Sequence, residues 1–226
     1  MPPAYLFDFN GVLVDDEWVH FAAMREVVAP RGATLDEAAY LERYFAFDDV
    51  AAFRAILRDG GLPHDEATVR ACVAEKLGLY LRAIDEKLVV FDGAFELLRA
   101  CAVRGPVAIV SGALRVEIET ILARRGAAAA VTTIVAAEDV TACKPDPAGY
   151  LEAMRRLGVA PADVVVIEDS LGGIEAARAA GCTVVAVAHS YPAERLALGG
   201  PALIVARIGE LDVDRLDALR PARAPG

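Results

Sequence analysis

The fold of this chain is decided by the stretch YLFDFNGVLVD at residues 5–15. Its apolar start is typical of a short buried strand, and the glycine at position 11 allows the backbone to turn tightly. In an open α/β sheet the carboxyl ends of the strands face the ligand crevice. Asp8 lies at such an end and is therefore a candidate functional residue, although an aspartate after a strand also commonly caps the next helix.

Three later stretches have the same form, an apolar run that leads into polar residues. They are VAIVSG at residues 107–112, CKPDP at 143–147 after the apolar segment around Ile134, and VVVIEDS at 164–170. In order and spacing, these and residues 5–15 resemble the four signature motifs of the haloacid dehalogenase-like hydrolases. The resemblance is closest to the phosphatase and β-phosphoglucomutase branch of that family, and it runs from Tyr5 to about Val205.

The pattern of the chain changes near residue 86. Residues 15–85 carry apolar side chains at helical spacing without a convincing strand, whereas strands and helices alternate afterwards. Alternating βα units predict a mostly parallel sheet covered by helices on both faces. The resemblance implies an α/β fold with a three-layer, Rossmann-like core at residues 1–14 and 86–226. It also implies an α-helical cap domain at residues 15–85, inserted after the first strand.

Composition limits the partners. The chain has 226 residues, 56% of them hydrophobic, and a formal net charge of −10. This charge disfavours nucleic acid and anionic membranes as partners. No apolar run approaches the ~20 residues of a membrane span, and no secretory signal is apparent, so we expect a cytoplasmic protein. The four cysteines are scattered without a CxxC pair, which predicts isolated reduced thiols, with Cys143 buried by packing.

The resemblance assigns chemistry to the motif residues. It makes Asp8 the nucleophile that forms an aspartyl-phosphate, and Lys144 the cation that neutralises Asp8 and the phosphate. It also implies a metal site formed by Asp8, the backbone carbonyl of Asn10, Glu168 and Asp169. Crowding three carboxylates into one crevice is unfavourable without a cation, and such oxygen ligands suit Mg²⁺. The alternative for Glu168 and Asp169 is that the segment only caps a helix, through Asp169 or Ser170.

Other residues are expected to bind the phosphate and the rest of the substrate. Ser111 and the backbone N–H groups of Gly112 and Ala113 are predicted to hold the phosphate oxygens at a helix start. His20 and Lys76 resemble the cap residues that β-phosphoglucomutase-like members direct at the substrate. A hydrogen bond at a hinge for His20 and a solvated surface position for Lys76 are the alternatives, and His20 could also act as a substitute acid.

Asn10 departs from the family pattern. Phosphatases and mutases of this branch have an aspartate there, which transfers protons to the leaving oxygen and from water. An amide cannot do this, and a lost proton transfer typically costs ~10²–10⁴ in rate. The chain could be a slow phosphohydrolase or one acting on acyl phosphates, an enzyme with other chemistry, or a catalytically impaired protein. We favour the first hypothesis because the metal-binding acids and Lys144 are retained.

The expected function is therefore Mg²⁺-dependent hydrolysis of a small phosphorylated metabolite, without nucleic-acid or membrane partners. A sugar-phosphate mutase and a phosphate-binding regulatory protein are the alternatives. The mutase is disfavoured because return of the proton to a second hydroxyl also needs the carboxylate that Asn10 lacks.

Overall fold

A computed structural model describes residues 2–45 and 47–221. Residues 1 and 222–226 of the predicted core, and residue 46 of the predicted cap, lie outside the described residues. The chain divides into two compact units. The sheet unit contains the segment up to Val14 and the segment from Val90 onward, and the helical unit is Asp15–Val89.

The strands and helices alternate after the helical unit. The strands are β1 (Ala4–Phe7), β2 (Val14–Asp15), β3 (Val89–Val90), β4 (Val107–Val110), β5 (Thr133–Val135), β6 (Val164–Glu168), β7 (Thr183–Val187) and β8 (Leu203–Val205). The α-helices are α1 (Glu17–Val28), α2 (Glu37–Arg43), α3 (Asp49–Asp59), α4 (Glu66–Lys87), α5 (Ala94–Arg104), α6 (Arg115–Arg124), α7 (Ala148–Leu157), α8 (Leu171–Ala179), α9 (Ala193–Ala197) and α10 (Val213–Ala218). Single turns of 3-10 helix lie at Ala29–Arg31, Ala128–Ala130, Ala137–Asp139, Pro161–Asp163 and Ile208–Glu210.

The sheet unit is built on a six-stranded sheet in the order β5-β4-β1-β6-β7-β8. Every pairing in it is parallel. Helices α5 and α7 pack against β4, and α8 packs against β6 and β7. Parallel strands buried on both faces read as continuous apolar runs, which is why the sequence predicts β1, β4 and β6 well. The predicted α/β fold class is confirmed.

The register of the sheet brings the motif ends together. Phe7 pairs with Ile109 of β4 on one side and with Ile167 of β6 on the other. The next residues, Asp8 and Glu168, therefore leave neighbouring strands at the same edge. β1 is also where the strand order reverses, since the chain continues to β4 and β5 on one side and later to β6, β7 and β8 on the other. Ligands of open α/β sheets bind at such a switch point.

The helical unit has a core of its own. Asp36, Asp48 and Asp65 cap the first turns of α2, α3 and α4 by accepting backbone N–H groups with their side chains. The apolar faces of these helices and α1 bury a contiguous cluster: Met24, Val27, Val28, Ala33, Leu35, Tyr40, Tyr44, Ala52, Phe53, Ala55, Ile56, Leu57, Val69 and Cys72. No helix of the described residues is long and apolar enough to cross a membrane.

Candidate active site at the carboxyl edge of the sheet

Asp8 leaves the buried end of β1 and is itself only 8% exposed. Its backbone N–H donates to the Ile167 carbonyl at 3.0 Å, which extends the β1–β6 pairing by one residue. Burial raises the pKa of Asp8 to about 6 against the opposing charge of Lys144, and the Glu168 carboxylate adds to the rise. The charged form of this carboxyl group is therefore costly without further positive charge.

Lys144 is aimed at the carboxylates by the turn that precedes α7. In that turn the Asp146 carboxylate accepts the Ala148 N–H at 2.9 Å. The Lys144 ammonium lies 3.0 Å from Asp8 Oδ1 and 2.5 Å from Glu168 Oε1, and it donates to the Val110 carbonyl at 3.2 Å. Burial alone would lower the pKa of Lys144, but the charges of Asp8 and Glu168 outweigh it and raise this pKa above its usual value.

Glu168 is fully buried, and donors occupy both of its carboxylate oxygens. Besides Lys144, Oε1 accepts the Tyr150 hydroxyl at 2.6 Å. Oε2 accepts the backbone N–H groups of Asp169 and Ser170 at 3.0 and 3.2 Å, and the Ser170 hydroxyl at 3.1 Å. The carboxylate also lies against the first turn of α8, where a Cβ on Gly173 would be 1.8 Å from Oε1. Burial opposes ionisation, but Lys144 and these donors hold the pKa of Glu168 below its usual value.

Asp169 is also buried, but its charge is poorly compensated. The Ser190 hydroxyl donates to Oδ2 of its carboxylate. Burial, followed by repulsion from Glu168 and Asp8, raises the pKa of Asp169 well above its usual value. Of the two residues considered for helix capping, Asp169 and Ser170, it is Ser170 whose hydroxyl accepts the Gly173 N–H at the start of α8.

These three acids form a group suited to a metal ion. Asp8, Glu168 and Asp169 each offer one oxygen, and these oxygens lie within 4.8 Å of one another. Lys144 supplies a single positive charge against three carboxylates, and the raised pKa of Asp169 reflects that imbalance. Oxygen donors at this spacing fit a hard divalent cation such as Mg²⁺.

Ser111 and Asn10 lie beside each other next to this group. The Ser111 hydroxyl donates to the Asn10 side-chain oxygen at 3.3 Å and accepts the Ala113 N–H at 3.1 Å. The expectation that the Ala113 N–H binds phosphate must be modified, because Ser111 already occupies it. Gly112 is exposed, and a Cβ added to it would meet nothing within 4 Å, so an anion has room there.

His20 and Lys76 belong to the helical unit. His20 Nε2 lies 3.5 Å from Asp16 Oδ2, one helical turn away, and its ring is 4.6 Å from that of Tyr80. Lys76 is completely buried, with its ammonium 2.8 Å from Asp49 Oδ2. Lys76 is therefore not the solvated surface residue that the sequence offered as an alternative. The assignment of both residues to the substrate site stays a prediction.

Sequence reasoning missed several residues of this site. Tyr150 hydrogen-bonds Glu168 from α7, and His189 and Ser190 follow β7, which carries none of the four motifs. None of these positions has a local pattern that signals its role. Cys143 was expected to be buried but is exposed, because it lies in the loop before Lys144, whereas all four cysteines are free thiols as predicted.

Comparison with known proteins identifies relatives of this chain. The family model of haloacid dehalogenase-like hydrolases matches residues 2–181. The validoxylamine A 7'-phosphate phosphatase of Streptomyces hygroscopicus subsp. limoneus is 30% identical over 200 residues, 85% of this chain and 88% of that protein. The protein CbbY of Rhodobacter capsulatus is 31% identical over 206 residues, 83% of this chain and 86% of that protein.

Solved structures with a similar fold include proteins of the same kind. A crystal structure of CbbY from Rhodobacter sphaeroides with phosphate matches at a TM-score of 0.86 and 25% identity, covering 96% of this chain and 100% of that one. A variant of that protein with asparagine in place of an aspartate holds xylulose-1,5-bisphosphate and also matches at a TM-score of 0.86. The predicted family and the predicted enzyme class, a phosphatase of this family, are confirmed.

Proposed function

The chain belongs to the haloacid dehalogenase-like hydrolases, and we propose that it hydrolyses a small phosphorylated metabolite with Asp8 as nucleophile and Mg²⁺ as cofactor. The observation that carries the proposal is the convergence of the Asp8, Glu168 and Asp169 carboxylates, of which Asp8 and Glu168 share the ammonium of Lys144. A pocket with this excess of negative charge repels phosphate unless a cation is added.

Four residues are proposed to hold the metal ion: Asp8, Asn10 through its backbone carbonyl, Glu168 and Asp169. Because both oxygens of Glu168 already accept hydrogen bonds, we expect Asp8 and Asp169 to be the stronger ligands. When bound, Mg²⁺ supplies the positive charge that lets an anionic phosphate group approach the carboxylates of the site.

The chain's own residues then perform the transfer. The Asp8 carboxylate attacks phosphorus, the bond from phosphorus to the leaving oxygen breaks with its electron pair going to that oxygen, and an aspartyl-phosphate forms. The leaving group departs as an anion or takes a proton from water. Lys144, 3.0 Å from Asp8, offsets charge at the reacting carboxylate, and Ser111 with the Gly112 N–H binds phosphate oxygens. Water then hydrolyses the acyl phosphate and restores Asp8.

Asn10 is the residue at which this chain departs from the family pattern. Its side-chain oxygen accepts the Ser111 hydroxyl, and its amide has no proton to exchange with a leaving alcohol. We infer slow turnover on ordinary phosphomonoesters and better turnover on substrates whose leaving group needs little protonation, such as acyl phosphates. The same absence of a proton donor disfavours the mutase alternative.

The substrate class to test first is a phosphorylated sugar or sugar-like molecule. The relatives support this choice, because one is named for validoxylamine A 7'-phosphate and a CbbY variant holds a sugar bisphosphate. Substrate selection by the helical unit, the role of a cap in this family, stays a prediction, as does a cytoplasmic location.

Steady-state hydrolysis of p-nitrophenyl phosphate tests the proposal. We expect activity that requires Mg²⁺, is abolished by EDTA, and is absent from Asp8→Asn, which keeps the size of the side chain but removes the nucleophile. If neither the parent nor the Asp8→Asn protein has activity, the alternative of a phosphate-binding regulatory protein is favoured instead.

Trapping of the intermediate gives a second measurement. If Asn10 slows hydrolysis of the aspartyl-phosphate more than its formation, acetyl phosphate and Mg²⁺ should add a phosphate-sized increment to the intact mass of the parent. The Asp8→Asn protein should show none. An unmodified parent at every Mg²⁺ concentration counts against a covalent mechanism.

A further inference from the structure

Strand β7 supplies none of the four motifs, yet two residues of the loop that follows it, His189 and Ser190, contact both segments that carry the proposed metal ligands. His189 contacts the turn that follows Asp8, and Ser190 contacts Asp169 after β6. All of these residues belong to the sheet unit.

The hydrogen bonds of His189 determine its tautomer. Its Nε2 accepts the backbone N–H of Ile208 at 3.1 Å, so that nitrogen carries the lone pair. A neutral imidazole then has its proton on Nδ1, which lies 2.8 Å from the Gly11 carbonyl and donates to it. The ring also stacks on Phe91 with centroids 3.8 Å apart and planes 20° from parallel. The imidazole ring of His189 is thus fixed by a hydrogen bond at each nitrogen and by stacking on one face.

Ser190 and Asp169 close around the same turn. Gly11 has a φ of +75°, and its N–H donates to the Val14 carbonyl at 2.8 Å. A Cβ at Gly11 would be 1.9 Å from Asp169 Oδ2 and 2.6 Å from Ser190 Oγ. The turn, the carboxylate and the hydroxyl are therefore in direct contact, and Ser190 donates to the carboxylate oxygen that faces the glycine.

We propose that His189 and Ser190 are positioning residues that fix the peptide between Asn10 and Val12 and the Asp169 carboxylate in their metal-binding arrangement. The carbonyl of residue 10 belongs to the peptide that enters Gly11, and the next carbonyl is the one that His189 holds. Because the two carbonyls are joined through Gly11, fixing the Gly11 carbonyl restricts the orientation of the Asn10 carbonyl. The inference rests on the proposed function, because it concerns the ion that function requires.

Binding of Mg²⁺ to the free protein, measured by isothermal titration calorimetry, tests the proposal without relying on turnover. Loss of a hydrogen-bond partner behind a metal ligand typically lowers metal affinity about 10- to 100-fold. We expect a rise of about tenfold or more in the Mg²⁺ dissociation constant for Ser190→Ala and for His189→Phe, which keeps an aromatic ring against Phe91 but removes both hydrogen bonds.

A graded variant separates positioning from packing. His189→Asn places an amide N–H at about the reach of Nδ1 and removes the acceptor for Ile208. It should recover most of the Mg²⁺ affinity that His189→Phe loses. Tyr5→Phe is the matched control, because it removes one hydrogen bond of the sheet unit, to Asp217, away from the acids. In kinetics, the Mg²⁺ concentration for half-maximal activity should rise while kcat at saturating Mg²⁺ changes little.

The outcomes distinguish the positioning roles from the proposed function. A parent that hydrolyses phosphate esters with Mg²⁺, with Ser190→Ala and His189→Phe proteins that bind Mg²⁺ as the parent does, overturns the positioning roles alone. An equal loss of Mg²⁺ affinity in Tyr5→Phe also overturns them, since it shows a general effect of destabilisation. A parent that neither binds Mg²⁺ nor hydrolyses phosphate esters overturns the proposed function and, with it, this inference.

Discussion

Each unit of the molecule holds a group of buried or half-buried acidic side chains, and the two groups are neutralised in different ways. In the sheet unit the carboxylates of Asp8, Glu168 and Asp169 converge, and Asp8 and Glu168 share the ammonium of Lys144. The site therefore has one ammonium group for three carboxylates. Such an arrangement is unfavourable in a buried site unless a further cation is bound.

In the helical unit each of three such acids has a partner of its own. The partnerships, given as acid and partner, are Asp16 with the Tyr80 hydroxyl and His20, Glu17 with the Tyr40 hydroxyl, and Asp49 with Lys76. Hydrogen-bonded or paired acids of this kind can be buried without an added ion. Among the described residues, the only group of acids whose oxygens converge is the one in the sheet unit.

The pKa shifts express the same difference. The pKa of Glu17 is raised by burial, and the next largest influence, from His20, opposes the rise. The pKa of Asp169 is also raised by burial, but the next influences, from Glu168 and Asp8, increase it further. After burial, the leading charge influence on the pKa of Glu17 thus comes from a basic partner, whereas at Asp169 it comes from other carboxylates.

The largest effect is expected from Asn10→Asp. This variant adds a fourth carboxylate to the convergent group and supplies the proton-transferring group that the amide lacks. We expect turnover of p-nitrophenyl phosphate and of sugar phosphates to rise by ~10²–10⁴. Less gain is expected on acetyl phosphate, whose leaving group needs little protonation. An unchanged or lower rate on all of these substrates would show that the asparagine is adapted to another reaction.

Lys144→Met tests the shared cation directly. Removal of the ammonium leaves Asp8 and Glu168 without their common counter-charge, and we expect kcat to fall by ~10²–10³, as for other groups that stabilise transition-state charge. Circular dichroism checks that the variant is folded. A Lys144→Met protein that retains most of its turnover would remove Lys144 from the mechanism and weaken the contrast between the two groups.

Lys76→Met is the counterpart in the helical unit. Breaking a buried ion pair by removing one partner typically costs ~3–5 kcal/mol, so this variant should lower the free energy of unfolding by about that amount, measured by urea titration. If the pair with Asp49 is the main role of Lys76, kcat and KM of the folded variant should stay close to those of the parent. A large rise in KM at unchanged stability would support the sequence-based assignment to the substrate site.

Sequence alone predicts the parts of the site that lie at strand ends. Uninterrupted apolar runs identify β1, β4 and β6, and the residues after each run are Asp8, Ser111 and Glu168. Because parallel strands bring their carboxyl ends to one edge, their proximity follows from the fold class. The two-residue strands β2 and β3 and the short helices α9 and α10 are too brief to leave a periodic pattern.

The partners that complete the site are not predictable in this way. The contact of His189 with Gly11 joins residues 178 positions apart, and no local pattern marks either as half of a pair. Likewise, the use of the Ala113 N–H by Ser111 depends on a side-chain rotamer, and the saturation of Glu168 depends on the Tyr150 hydroxyl from a different helix. Such contacts are set by packing in three dimensions and not by spacing along the chain.

The smallest effect expected is a selective protection of buried thiols by Mg²⁺. Burial raises the pKa of Cys182 in the sheet unit to about 12 and also raises that of Cys72 in the helical unit, so alkylation at pH 8 requires opening. A ligand at ten times its dissociation constant stabilises the state that binds it by about 1.4 kcal/mol. In mild urea, Mg²⁺ should therefore slow iodoacetamide labelling of Cys182 about tenfold, measured by peptide mass spectrometry, and leave Cys72 unaffected.

Exposed Cys143 is the control and should react at once in all conditions. Equal protection of Cys72 and Cys182 would mean that both units open together. Binding of a cation to the acids of the sheet unit would then also stabilise the helical unit.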